Sequence, residues 1–241
     1  MQTVLHKASE RGYAKQGWLE THHSFSFASY YNPEKMGFGV LRVINDDVIA
    51  SGEGFGKHPH NDMEIITIPL SGTLAHEDSM GNVETIETGE VQVMSAGTGV
   101  EHSEFNASET ESISLLQIWI LTRVKGVTPR YAQKLFNPHL FRNTFHQIVG
   151  PEGSEKNGNL PIYQDAFLSL GRFDTDMSIE YDLQKRGNGV YFFVIEGGMI
   201  AEGKQLEKRD AIGIWDTEKI NVQAKKGAFI LALDVPMKAS E

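Results

Sequence analysis

Cysteine is absent from the 241 residues. This excludes a cysteine nucleophile, a thiolate metal site and any disulfide, and it suits a reducing compartment. Long apolar runs are missing too. No stretch approaches the roughly 18 to 20 apolar residues that span a bilayer, and the start of the chain has no signal-like apolar core, so no membrane role and a cytoplasmic location are expected. Basic residues are outnumbered, 22 Lys and Arg against 32 Asp and Glu, for a formal charge of -10 and a pI near 5.4. That field repels phosphate backbones and anionic lipid. The short pairs Lys185-Arg186 and Lys225-Lys226 read as solvated surface, so direct nucleic-acid binding is not expected. Proline is sparse at 8 residues against 24 glycines, with 40% hydrophobic and 22% charged residues; this is the balance of a folded chain rich in turns.

What is present is period-two alternation, broken by Gly, Asn or Asp every eight to twelve residues, as in all-β sandwiches and barrels. Helix signal is weak. Phe38 to Asp47 reads as a strand ending in an Asn45-Asp46-Asp47 turn, Glu64 to Gly72 as a strand, and Ser79 to Asn82 as a hairpin connection. Gly89 to Ser95 and Ile113 to Leu121 read as further strands. Residues 122–159 read as a connecting stretch ending in a long turn from Gly150 to Asn159. Strands resume at Phe167–Phe173, Gly189–Gly198 and Gly227–Asp234. The expected architecture is two successive antiparallel β-barrel domains, 1–135 and 136–241, of similar rhythm. Seven of nine histidines lie between His6 and His102 and none follows His146, so a histidine metal centre belongs to the first domain and the second lacks one.

Two segments carry the chemistry. In extended chain, residues i and i+2 point to the same side, so His58 and His60 converge, as do His102 and Glu104. Three imidazoles and a carboxylate suit one divalent first-row ion, and the lack of sulfur argues against Cu(I) or an iron–sulfur cluster. Pro59 has no N–H for a ladder, which suggests an edge or a bulge there. Glu64 stays open at this point: its parity matches His58 and His60, so it is either a ligand or an acceptor for a ligand's other N–H. His76 reads as a surface or hairpin-stabilising residue. His22-His23 read as packing or surface, on a segment long enough to reach a pocket mouth. Gly52 to Lys57 only superficially resembles a phosphate loop, and Ser95 and Ser103 lack a triad context.

The segments resemble the two cupin motifs. Gly52, His58-Pro59-His60 and Glu64 match the first, with its closing glycine one residue late at Gly72. Gly89 through Gly97, His102 and Asn106 approximate the second, with Ser95 where proline is usual and four residues before His102. Together with Gly17-Trp18, Phe25-Ser26-Phe27, His76-Glu77-Asp78-Ser79-Met80-Gly81-Asn82 and His102-Ser103-Glu104-Phe105-Asn106, these departures resemble the pirin family. The match is strongest over residues 10 to 135.

That resemblance implies an all-β bicupin fold with jelly-roll-like domains and one metal, usually iron(II), with Mn, Ni, Cu, Co or Zn as alternatives. It places the ligands on His58, His60, His102 and Glu104 and leaves Glu64 outside the coordination shell. It further implies a quercetin 2,3-dioxygenase-like oxygenase that opens a flavonol's heterocyclic ring with dioxygen and releases carbon monoxide, Glu104 accepting the substrate proton. The alternatives are a metal- or redox-responsive interaction or transcriptional co-regulator module with a protein partner, or another small-molecule cupin enzyme.

Overall fold

The computed structural model describes residues 1–155 and 158–238. The N-terminal half pairs a seven-stranded with a four-stranded sheet. In the larger, the order is β12-β9-β6-β11-β4-β3-β2, built from β2 (Gly12–Gln16), β3 (Leu19–His23), β4 (Leu41–Ile49), β6 (Met63–Ser71), β9 (Glu90–Ser95), β11 (Ile113–Leu121) and β12 (Arg130–Leu135). The smaller runs β5-β10-β7-β8, from β5 (Gly54–His60), β7 (Thr73–Asp78), β8 (Val83–Glu87) and β10 (Val100–Asn106).

The C-terminal half repeats the seven-plus-four plan. Its larger sheet contains β13 (His146–Pro151), β14 (Leu160–Ile162), β15 (Phe167–Arg172), β17 (Asn188–Glu196), β20 (Ala211–Trp215) and β22 (Phe229–Pro236). The smaller contains β16 (Met177–Asp182), β18 (Gly198–Ala201), β19 (Lys204–Glu207) and β21 (Lys219–Ala224). The seventh strand of the larger sheet is β1 (Gln2–His6), which crosses from the chain start to pair with β20. The chain is therefore all-β and two-domain, with a correction to the expected barrels: in each half the two sheets are separate hydrogen-bonded ladders rather than one closed ladder. One pair, β13 with β14, is parallel.

The large sheets of the two halves pack on each other. Ile44, Ile66, Ile68, Leu116 and Ile118 share one core with Leu168, Tyr191, Phe193, Leu231 and Leu233. The opposite face of the C-terminal large sheet, with Val190, Phe192, Val194 and Ile230, packs into a second core with Met199, Leu206, Ile220 and Val222. β17 is thus covered on both faces, which is why its sequence is a nearly unbroken apolar run.

The N-terminal interior is built differently. Gln92, Thr67, Gln117, Asn45 and His23 stand in register across five adjacent strands, all buried. A polar row crosses a sheet whose other face is greasy. Buried polar groups need partners, and this row finds several of them on the small sheet.

Three local readings change. Asn45-Asp46-Asp47 is the middle of β4, not a turn, because each side chain is engaged by tertiary structure: Asn45 with His23, Asp46 with Arg11 and Arg209, Asp47 against Thr21. Residues 122–159 contain β12 and β13 besides a 3-10 turn at Pro138–Phe141. β12 is a half-exposed edge strand, so its sequence carries little hydrophobic alternation. The long turn includes Lys156 and Asn157, which lie outside the described residues.

Candidate metal centre

β5 is an edge strand, and its pairing with β10 contains a bulge. His102 lies opposite His58, but Glu104 lies opposite Phe55, so β5 spends one extra residue over this stretch. The bulge bends the strand at the segment that presents His58 and His60. Gly54 makes the approach feasible, since a Cβ there would sit 2.2 Å from the Glu104 carbonyl oxygen.

His58, His60 and His102 come together, one ring nitrogen of each lying within 4.8 Å of the others. Their ring centroids are 4.4 to 4.9 Å apart. The His58 Nδ1 is 2.8 Å from the Gly56 carbonyl oxygen, which can only accept; Nδ1 therefore carries the proton and Nε2 keeps its lone pair. His102 is 1% exposed, and among the described residues neither of its ring nitrogens has a protein partner. Burial, then the neighbouring imidazoles, push His102 down to about 2, and burial and His58 push His60 down to about 4. Both rings stay neutral, the state in which imidazole coordinates a cation.

Glu104 shares the inner face of β10 with His102. Its Oε2 accepts from Gln117 Nε2 at 2.6 Å and its Oε1 from Thr67 Oγ1 at 3.5 Å. Burial raises the carboxyl to about 7, against those two hydrogen bonds. Glu104 falls in a second, overlapping cluster with His102 and His76. A buried carboxylate, neutral imidazoles and two orphaned nitrogens on His102 fit a divalent cation, whose charge would offset the burial of Glu104.

His76 is buried, which corrects its expected surface placement; the hairpin-stabilising role stands. It lies opposite Glu104 across β7 and β10. Its Nε2 is 3.2 Å from Asp78 Oδ2 and its Nδ1 is 3.1 Å from Gln92 Nε2. Asp78 in turn accepts from the backbone of Met80 and Asn82 in the β7–β8 turn. The i, i+2 spacing of His76 and Asp78 was the available signal for an inward face.

The parity reading of Glu64 is also corrected. The parity that joined it to His60 does not survive the Asn61-Asp62 turn, where Asp62 takes a positive φ of 46° and the chain passes from the small sheet to the large one. Glu64 then shares its face of β6 with Ile66 and Ile68, in the core between the halves, whereas Thr67 on the other face reaches Glu104. Its Oε2 accepts from Ser95 Oγ at 2.6 Å.

A cavity of about 400 Å³ adjoins the cluster, with His58, Glu104 and Gln117 on its wall beside Trp18, Phe27, Phe55 and Trp119. Such a cleft, aromatic with few polar groups, is the usual form of a small-molecule site. Of the polar residues on its wall, Gln117 was missed in the sequence because a single polar residue inside a strand looks like an exposed position, and Asn45 and Asp47 because their run with Asp46 reads as a turn.

Two like-built β halves, the first enclosing a histidine cluster and a carboxylate, define a two-domain cupin-like protein whose site suits a divalent metal ion. A family model described as Pirin matches residues 5–120, and one described as a quercetinase C-terminal cupin domain matches residues 147–235. The chain belongs to the pirin family. The quercetin 2,3-dioxygenase of Escherichia coli (strain K12) is 43% identical over 232 residues, 96% of this chain and 98% of that one. The crystal structure of YhhW from E. coli superposes with a TM-score of 0.93 at 42% identity, each chain covered fully. Bacterial pirin YhhW in complex with nickel(II) gives 0.91 at 42% identity, covering 98% of this chain and 99% of that one. Among the described residues, no helix is long and apolar enough to cross a membrane.

Proposed function

We propose that the protein is a metal-dependent dioxygenase that opens the heterocyclic ring of quercetin-like flavonols with dioxygen and releases carbon monoxide. The observation that carries this reading is the position of His58 and Glu104 on the wall of the aromatic cavity, in a chain 43% identical to a quercetin 2,3-dioxygenase. The work divides between residues 1–135, which hold the ion and substrate, and residues 136–241, whose interior is packed with apolar side chains and which back the large N-terminal sheet.

His58, His60, His102 and Glu104 would hold the ion, iron(II) being the first choice and Mn, Ni, Cu, Co or Zn the others. When bound, the ion supplies a Lewis acid that favours the deprotonated form of a flavonol's 3-hydroxyl beside its 4-carbonyl. Trp18, Phe27, Phe55 and Trp119 clamp the flat rings and keep water out. Glu104 accepts the 3-hydroxyl proton, its carboxyl steadied by Gln117 and Thr67 so that it stays within reach. His58 is oriented through the Gly56 carbonyl.

The test is anaerobic reconstitution with each candidate ion in turn, followed by exposure of a flavonol panel to oxygen. Stoichiometric oxygen uptake and carbon monoxide release are expected with at least one ion. Neither gas changing with any ion would overturn the proposal.

A further inference from the structure

A second, smaller cavity of about 160 Å³ lies alongside it, toward β2 and β3. Phe27, Asn45, Asp47 and Phe55 line both it and the larger cavity, so the two are compartments of one cleft. Their sizes are unequal in a useful way. Cavities of about 150 Å³ take a single benzene ring, while 400 Å³ lies in the range of small-molecule sites. A bicyclic unit beside the candidate metal ligands, with a pendant aryl ring in the small compartment, matches that division.

The polar groups at the junction are only partly used by the fold: Asp47 meets Thr21 and Asn45 meets His23, and each keeps one polar atom over. Asp47 is 3% exposed, and its Oδ1 is buried without a hydrogen-bond partner among the described residues. Asn45 accepts at its amide oxygen from His23 Nδ1 at 2.8 Å, and among the described residues its amide nitrogen has no side-chain or turn acceptor. One residue thus offers a free acceptor and its neighbour on the same face a free donor. A phenolic hydroxyl is both donor and acceptor. Leaving a buried carboxylate oxygen unpaired costs stability, so a fold that keeps Asp47 among aromatic side chains has a use for it.

We infer that Asp47 and Asn45 are specificity-determining residues that bind the hydroxyl groups of the substrate's pendant aromatic ring at the junction of the two compartments. The inference rests on the flavonol reading of the larger cavity. It adds a preference: a site built to hydrogen-bond a hydroxyl discriminates strongly against the analogue lacking it.

The probes are quercetin and its analogue with a bare pendant phenyl ring. Binding is followed under nitrogen on zinc-loaded protein by quenching of Trp18 and Trp119. The wild type should bind quercetin roughly ten- to a hundredfold more tightly, the range of one or two charge-assisted hydrogen bonds. In Asp47→Leu and in Asn45→Leu the ratio should fall toward one. Asp47→Leu should also melt no lower than the wild type, because it removes a buried carboxyl oxygen that has no partner; a purely structural Asp47 would instead lower the melting temperature and leave the ratio alone. Equal wild-type affinities, or an unchanged ratio in both variants, would overturn the inference. Carbon monoxide from the wild type with an active ion is scored separately. Its absence defeats the dioxygenase reading, whereas turnover with an unaltered ratio defeats only the Asp47 and Asn45 assignment.

Discussion

His102 and His76 face each other with ring centroids 5.3 Å apart, yet only His76 has its nitrogens occupied, by Asp78 and Gln92. Both nitrogens of His102 are buried and empty-handed. Two neighbouring histidines therefore differ, one saturated by protein and one with both nitrogens free among the described residues. His102→Ala and His60→Ala should abolish metal retention with little loss of fold, while His76→Gln retains the ion. Elemental analysis of the purified variants checks this; full stoichiometric metal in His102→Ala would remove it from the ligand set.

Glu104→Gln keeps the shape of the side chain and its contact with Thr67, but it removes the charge and places an amide against Gln117. Flavonol turnover should fall by about 100-fold or more, the scale of a lost general base, with thermal unfolding changed far less. Turnover equal to wild type across the pH range would take Glu104 out of the chemistry.

Glu64 lies on the face of β6 turned away from the cluster. Glu64→Gln should hold a full equivalent of metal and differ from wild type only in stability, through its bond to Ser95. Metal loss in this variant would return Glu64 to the coordination shell.

Asp46 on β4 bridges Arg11 at 3.1 Å and Arg209 at 2.8 Å, tying the N-terminal sheet to the C-terminal half. Its replacement by Leu leaves the buried Arg11 guanidinium without its ion-pair partner, while Arg209 keeps only Glu196 at 4.0 Å. Breaking a buried pair from one side costs about 3–5 kcal/mol, and chemical denaturation should register a loss of that order. A change below roughly 1 kcal/mol would place the triad with solvent-screened surface pairs.

His6 on β1 is 2.9 Å from the Tyr191 hydroxyl; burial first, then nearby Lys35, push it down from 6.5 to about 4. The unfolded chain therefore binds more protons than the folded one between those values. Stability from this group is fully present above pH 6.5 and is lost as pH falls to about 4, by roughly 3 kcal/mol in all. Denaturant unfolding at pH 7 and pH 5 should show a smaller acid loss in His6→Gln than in wild type. Equal losses would mean that His6 titrates normally in the folded state.

The sequence by itself determined what depends on short spacing: β rather than helix, two halves of similar rhythm, the confinement of histidines to the first, and the i, i+2 pairs His58/His60 and His102/Glu104. Side-chain direction along a strand is a local property, so it can be read from one segment at a time. Only the tertiary structure decided what depends on which strands are neighbours. It placed β1 in the other half's sheet, turned Glu64 away from the cluster after the two-residue connection between sheets, and carried β4 straight through Asn45-Asp46-Asp47 because residues from elsewhere engage those side chains. It also distinguished His76 from His102. Both are buried histidines on inward faces, and they differ only in whether a carboxylate and an amide from other positions come within hydrogen-bonding reach.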